Sequence, residues 1–249
     1  MKQSKTALYH QVLQSVVDFL SARANPELVV KYSRYFKDGY GAWGNNDSDL
    51  KACMEHLEKQ FPSLGLDDVI PLGLILFANG KYEAGSVAIR LIQKFKKTFT
   101  RATFAGVKSW YDTGIGNWAH SDVICSLVIS EFFKQNIITY KDFADWKTSP
   151  SKWTRRAVPV SLLEIRKTAD PLELLNFLDS MMLDEVREVH QGLGWFLREL
   201  WKLHPQPVEA FLLKYRNTAA RLIFQYATEK MSKEQKERFR KEKSAKNTD

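Results

Sequence analysis

Apolar residues recur at every third or fourth position through most of this chain, and no stretch alternates convincingly with a period of two. The first pattern lines one face of an α-helix, and the second would mark a strand. The helical pattern runs through residues 8–20, 66–77, 84–95, 123–133, 158–165, 172–182 and 186–203. Short polar, glycine or proline signals separate these segments: Asn25 with Pro26, the stretch 39–46, Asn79 with Gly80, 113–117, Ser149 with Pro150, Asp170 with Pro171, and 204–207. Several double as helix starts, with Asp or Ser at the cap and Pro in the first turn. About a dozen helices joined by roughly two to eight residues predict an all-α chain of stacked hairpins.

Three tryptophans carry an ionic residue one helical turn further on: Trp118 with Asp122, Trp153 with Arg156, and Trp195 with Arg198. Separations of three or four put both side chains on one face. The tryptophans stand 35 and 42 residues apart, close to the period of HEAT-type repeats. The expected fold is therefore a HEAT-like helical-repeat solenoid whose stacked repeats bring the three faces to one side. Aromatic rings, two cations and one carboxylate suit chemistry on a sugar–phosphate backbone better than a dry core. Any one of these tryptophans taken alone reads as core; the joint spacing is what points elsewhere. Trp43, Trp110, Trp146 and Trp201 fall outside the pattern and read as packing residues, with Trp43 in a glycine-rich loop. That loop lacks the strand–loop–helix setting of a phosphate cradle. Pro159 lies inside a helical pattern, where its missing N–H would bend the helix after Arg156.

Charge narrows the class of partner. Among 249 residues, 37 Lys and Arg outnumber 29 Asp and Glu, for a net charge of +8 and a pI near 9.3. This favours a polyanionic partner, with nucleic acid ahead of a membrane surface. Half of that excess is local, because residues 230–249 hold eight Lys or Arg and four Asp or Glu. The organisation read here is one domain over 1–230 and a basic, frayed or disordered tail over 231–249. Without the tail the body is mildly basic, so a DNA footprint requires clustered cations. Cys53 and Cys125 sit in apolar helical patterns and read as small core residues in a reducing compartment. No CxxC or HExxH spacing appears, which argues against zinc. The N-terminal segment is amphipathic, unlike a signal peptide, and the longest apolar run, 69–78, is too short to span a bilayer. The expected location is the cytoplasm.

The segments YFKDGYGAWG, NWAHSDVIC, WTRRAV and GLGWFLRELWKLHP resemble, in order and mutual distance, those of the DNA alkylation repair family of HEAT-like proteins, the AlkD type of alkylpurine DNA glycosylase. The resemblance covers roughly residues 29–230 and is strongest from Asn117 onward. It implies a catalytic Asp122 four residues after Trp118. It implies an active-site Arg156 between Trp153 and Ala157, and a third element at Trp195 followed by Arg198. It also puts Tyr35 and Lys37 near DNA, and Arg155 beside Arg156 is read as a further contact. Two departures stand out: Ala119 directly follows the first tryptophan where relatives carry an acidic or polar residue, and 41–62 is longer and more polar. Non-catalytic branches lack one or more of the matched residues, and all of them stand here.

The resemblance implies a monomer acting on double-stranded DNA, with neither metal nor organic cofactor and no deep pocket for the lesion. The chemistry also has its own argument. Purines alkylated at N3 or N7 carry a positive charge and leave without a general acid, so one carboxylate can do the work that ordinary glycosidases divide between two. Two other readings compete with it: a non-catalytic HEAT protein that binds bent or branched DNA, and a protein-interaction scaffold, a common use of helical solenoids. His120 lies off the Trp118 face and is assigned no catalytic role; His190 and His204 read as structural or exposed.

Overall fold

The structure is a computed structural model and describes residues 4–242. Among the described residues there is no strand, and fourteen α-helices form the fold, an all-helical repeat architecture. The chain divides into two compact units, one up to residue 137 and one from residue 138. The first holds α1 (Lys5–Ser21), α2 (Pro26–Ser33), α3 (Asp47–Gln60), α4 (Leu66–Ala78), α5 (Tyr82–Gln93), α6 (Arg101–Thr113), α7 (Trp118–Ile124) and α8 (Ser130–Lys134). The second holds α9 (Lys152–Leu162), α10 (Pro171–Leu178), α11 (Arg187–Trp201), α12 (Pro205–Tyr215), α13 (Arg221–Ala227) and α14 (Lys233–Glu237).

Helix starts follow the cap chemistry of the sequence. The Asn25 side chain accepts the N–H of Glu27 and of Leu28, and Pro26 opens α2. Asp170 caps α10 in the same way, ahead of Pro171. Asn46 and Asp49 form a reciprocal capping box on α3. Each such cap contributes about 1 kcal/mol. α9 runs through Pro159 and α4 through Pro71, so both helices tolerate the lost backbone bond. One feature escapes periodicity altogether. The helical pattern over 123–133 is interrupted by a π-helical turn, Cys125–Ile129, between α7 and α8. A π turn holds one residue more than an α turn and recurs at functional sites.

In the first unit α4 and α5 form a hairpin packed against α1, α3 and α6. Val12, Val16 and Leu20 of α1 and Leu72 and Leu76 of α4 are all fully buried, and the two helices pack together. Trp110 of α6 is buried over Gly73, where a Cβ would lie 2.3 Å from its ring, and its Nε1–H donates to the Ile70 carbonyl at 2.9 Å. In the second unit α11 is central, packed against α9, α12 and α13. Its buried residues Val189, Leu193, Phe196, Leu197 and Leu200 recur at three and four.

The expected tail resolves into two parts. Over 231–242 the chain is anchored: Ser232 and Gln235 box the start of α14, Phe239 is fully buried, and its carbonyl accepts from Arg221. Glu242 pairs with Arg216 and Asn217. The density of charge there conceals two apolar anchors, Met231 and Phe239. Residues 243–249 of the expected tail lie outside the described residues.

The irregular stretch 39–46 is held by a side chain of α5. Glu83 is 1% exposed. Its carboxylate accepts the N–H of Trp43 at 2.9 Å, of Gly44 at 2.7 Å and of Asn45 at 3.2 Å. The Tyr82 N–H donates to Gly41 O, and the Asn25 N–H to Trp43 O. Removing the carboxylate would leave three backbone donors unpaired, at about 1–3 kcal/mol for each one that stays dry. Glu83→Ala should therefore lower the unfolding free energy by about 3 kcal/mol, read by urea denaturation with tryptophan fluorescence. A loss below about 0.5 kcal/mol, the range of an ordinary surface change, would show that the loop does not depend on Glu83.

Candidate nucleic-acid interface

α7 is short and sharply started. The Asn117 side chain accepts the His120 N–H at 2.9 Å, which makes Trp118 the first helical residue. The Trp118 indole is 41% exposed. Its Nε1–H donates to the Tyr35 carbonyl at 3.1 Å, across 83 residues of sequence. Phe36 stacks on the same indole, with centroids 5.7 Å apart at 24°. Asp122, one turn on, is partly exposed and directly precedes the π turn by three residues. Tyr35 and Lys37 are exposed. The first unit thus brings Trp118 and Tyr35 together, with Asp122 on the same short helix.

The structure adds residues that the motif reading missed. α2 has no buried residue. Lys31, Tyr32 and Arg34 are exposed beside Tyr35 and Lys37. The Arg34 guanidinium lies 4.8 Å from the Tyr35 ring centroid and donates to its hydroxyl at 2.8 Å. Cations interleaved with aromatic rings are the pattern of a nucleic-acid surface. The available signal was the segment PELVVKYS, too short and too polar to own a core face.

His120 keys α7 onto α5. It is 4% exposed, and its ring stacks on Tyr82 at 4.4 Å and 13°. Nδ1 lies 3.0 Å from Asn117 Nδ2, which can only donate. Nε2 therefore carries the proton and donates to the Tyr82 carbonyl at 2.9 Å. Ser86 Oγ is 3.2 Å from the same nitrogen. Gly85 leaves room for the ring, since a Cβ there would meet Cε1 at 2.5 Å. Burial pushes the imidazole down to about 4, against the opposing pull of the Tyr82 carbonyl.

In the second unit α9 and α11 lie side by side. Arg156 is 6% exposed, and its Nη1–H donates to the Glu188 carbonyl at 2.8 Å. Its stem crosses Gly192 of α11, where a Cβ would meet Cγ at 3.3 Å. Trp195, half-buried, follows Gly192 by one turn on α11. The unit therefore brings Arg156 to the helix that carries Trp195. Three of the expected contact residues are engaged within the fold. Trp153 is 7% exposed, a packing residue with the Lys152 ammonium over its ring. Arg155 is not a free surface cation. Its Nε–H donates to Asp184 at 2.7 Å, and its Nη1–H groups tie down the carbonyls of Ser149 and Pro150. Arg198 pairs with Glu199 and Glu229. For the two arginines the cause is the same: a cation on a helix finds whatever carboxylate or carbonyl the fold delivers, and Asp184 and Glu229 lie 29 and 31 residues away. Trp118 and Asp122 belong to the first unit, and Arg156 and Trp195 to the second.

Of the remaining tryptophans, Trp110 and Trp146 are core residues, whereas Trp43 and Trp201 are half-buried. Trp110 and Trp146 are among the largest fully buried side chains, and Trp201 Nε1–H donates to Glu209. His190 is buried against Asp184 O. Among the described residues, no group of three or more His, Cys, Asp or Glu is placed to hold a metal ion, and no helix is long and apolar enough to cross a membrane.

Helix upon helix, without a strand among the described residues, defines a helical-repeat protein. Its sequence matches the family model for DNA alkylation repair enzymes over residues 16–231, and the chain belongs to that family. The fold agrees with the solved structure of a predicted DNA alkylation repair enzyme from Enterococcus faecalis. That likeness has a TM-score of 0.71 and 18% identity, and covers 84% of this chain and 97% of the other. No curated protein matches the sequence. Family membership assigns an enzyme role in the repair of alkylated DNA, with DNA as substrate or partner.

The His120 arrangement has a measurable consequence. Unfolded, the imidazole titrates near 6.5; folded, near 4. Between these values the unfolded chain binds the extra proton, so stability is whole above about pH 6.5 and falls as pH drops towards 4. The linked loss is on the order of 3 kcal/mol. Urea unfolding of the wild type and His120→Gln at neutral pH and near pH 4.5 should show a smaller acid loss in the variant. Equal losses would mean that His120 is not held neutral.

Proposed function

We propose that this protein is a monofunctional DNA glycosylase. Acting as a monomer on double-stranded DNA, it hydrolyses the N-glycosidic bond of cationic N3- or N7-alkylated purines such as 3-methyladenine and 7-methylguanine. One observation carries the reading: on α7 a 41% exposed indole precedes a carboxylate by a single turn, in a member of a family of DNA alkylation repair enzymes. An indole left that far in solvent forgoes burial that Trp110 and Trp146 obtain in full.

The leaving base already carries the positive charge, so it departs neutral once the glycosidic bond breaks, and no acid need protonate it. The deoxyribose becomes oxocarbenium-like as that bond lengthens. Asp122 stabilises the cation electrostatically and orients the water that attacks C1′, which leaves an abasic sugar and a released proton. Trp118 presents an electron-rich face to the sugar and adjoining backbone. Arg156, buried with an Nη1–H on the Glu188 carbonyl, braces α9 against α11. Lys37 and Tyr35, with Lys31 and Arg34, grip the strand beside Trp118. Arg155 and Arg198, already engaged with carboxylates, hold α9 and α11 in place.

Asp122→Asn keeps size and hydrogen bonding but removes the negative charge. Release of free base from methylated duplex should fall by roughly two to three orders of magnitude in single-turnover assays, with DNA binding unchanged or slightly tighter. Uracil and 8-oxoguanine should be poor substrates, since nothing here protonates a neutral leaving base. Rapid uracil excision, or full activity in the variant, would defeat the mechanism. Binding without any excision by the wild type would favour a non-catalytic protein that recognises bent or branched DNA.

Salt dependence separates phosphate contacts from structural ties. Lys37→Ala should shallow the slope of log K against log salt by about one unit. Arg155→Ala should leave that slope intact and lower the melting temperature instead. The opposite pattern would return Arg155 to the DNA and remove Lys37 from it.

A further inference from the structure

The backbone around Asp122 is held from outside its own helix. Asp122 shares a face of α7 with Trp118 because four residues separate them. α7 has only seven residues. It runs directly into the π turn at Cys125–Ile129, where the Ser130 N–H reaches back to the Cys125 carbonyl. The wide hydrogen-bond pattern alone does not dictate which turn of a helix takes the surplus residue. Were it taken up one turn earlier, between Trp118 and Asp122, the two side chains would leave their common face.

Two contacts bracket α7 against such a slip. The Asn117 side chain fixes its start, on the His120 N–H. The second contact comes from α6. Trp110 sets the register of α6 on α4, through Gly73 and the Ile70 carbonyl. The next residue, Tyr111, is 1% exposed and carries its phenol across to α7. Tyr111 Oη lies 2.6 Å from the Ser121 carbonyl oxygen and 3.2 Å from Cys125 Sγ.

Proton counting gives the direction of both bonds. A carbonyl only accepts, so the phenol donates its one proton to Ser121 O. The Cys125 thiol then donates to the phenol oxygen. Ser121 O also accepts the Cys125 N–H, whose other acceptor is the Asp122 carbonyl. The residue before Asp122 and the first residue of the π turn thus converge on one phenol. The Ser121 hydroxyl takes no part, since its oxygen is buried without a hydrogen-bond partner. Burial first, and then Cys125 and the negative charge of Asp122, raise the titration of the phenol well above its ordinary range. Tyr111 therefore remains a donor throughout the neutral range.

We infer that Tyr111 is a positioning residue for Asp122: its hydroxyl pins the Ser121 carbonyl and so keeps the surplus residue of the π turn downstream of the carboxylate. The catalytic consequence rests on the glycosylase reading; the pinning of the turn does not.

Tyr111→Phe deletes one oxygen and keeps the ring. Single-turnover release of free base from methylated duplex should fall about tenfold to a hundredfold, the range for a displaced reacting group. The Kd for the duplex should stay within about twofold, the mark of a loss confined to the transition state. The decisive comparison is made in Asp122→Asn. With the charge gone its placement no longer matters, so adding Tyr111→Phe there should lower the rate less than about twofold. Replacing Tyr111 by 4-aminophenylalanine keeps a donor in place and should recover most of the rate. Equal losses in the two backgrounds, or full activity of Tyr111→Phe, would overturn the inference.

Amide hydrogen exchange reads the pin without any substrate. Residues 122–130 should exchange at least about tenfold faster in Tyr111→Phe than in the wild type, while α9 and α11 keep their rates. If phenylalanine prevents folding, the wild type itself decides. Its Tyr111 hydroxyl proton should give a slowly exchanging NMR signal with cross-peaks to residue 121, and absence of that signal would overturn the pin. Faster exchange in a protein that excises nothing would uphold the pin and sink the glycosylase reading. Unchanged exchange beside normal wild-type excision would sink the pin and spare that reading.

Discussion

A buried carboxylate, Glu83, satisfied by three backbone N–H groups, is the interaction on which the candidate surface of the first unit depends. Buried polar groups are expensive unless paired, and cheap only when every partner is in place. Glu83 converts the irregular stretch 39–46 from a floppy connection into a positioned one. The same helix, α5, supplies Tyr82, whose carbonyl and ring hold His120. His120 and Asn117 in turn set where α7 begins. The exposed face of Trp118 is thus the visible end of a chain of buried, hydrogen-bonded contacts. Rigidity at a wet surface is being produced from behind, by the core.

Much of the fold was legible from the amino-acid order because it rests on local rules. Caps at Asn25, Asn46 and Asp170, prolines in first turns, and a three-and-four period in α11 each act within a few residues. The candidate site was legible only in part. A pair such as Trp153 and Arg156 shows that two side chains share a helix face, but says nothing of whether that face meets water. Trp153 is core. Arg155 and Arg198 find carboxylates 29 and 31 residues away, and no local pattern announces such partners. The segment 231–242 is hard to read for a related reason: charged residues dominate its composition, yet Met231 and Phe239 are buried.

The same distinction bears on the net charge of +8. A formal count treats every cation as available. In the second unit several are already neutralised by Asp184, Glu188, Glu199, Glu209 or Glu229. Around α2 the cations stack instead on tyrosines, Lys31 over Tyr32 and Arg34 over Tyr35. A cation over a ring keeps its charge and its solvent access, which an ion pair does not. Where the protein is basic in effect differs from where it is basic in sequence.

The π turn at Cys125–Ile129 works as an extra residue absorbed inside a helix. Beyond it the side chains are rotated by about 100° from where an unbroken α-helix would put them. Asp122 before the turn and Phe132 after it, stacked on Phe99, therefore obey two different helical phases. When this chain is aligned with relatives that lack the turn, the one-residue gap belongs within the helix. Placing it in the nearest loop, as alignment habit favours, would slide Asp122 out of its column and make an intact carboxylate look lost.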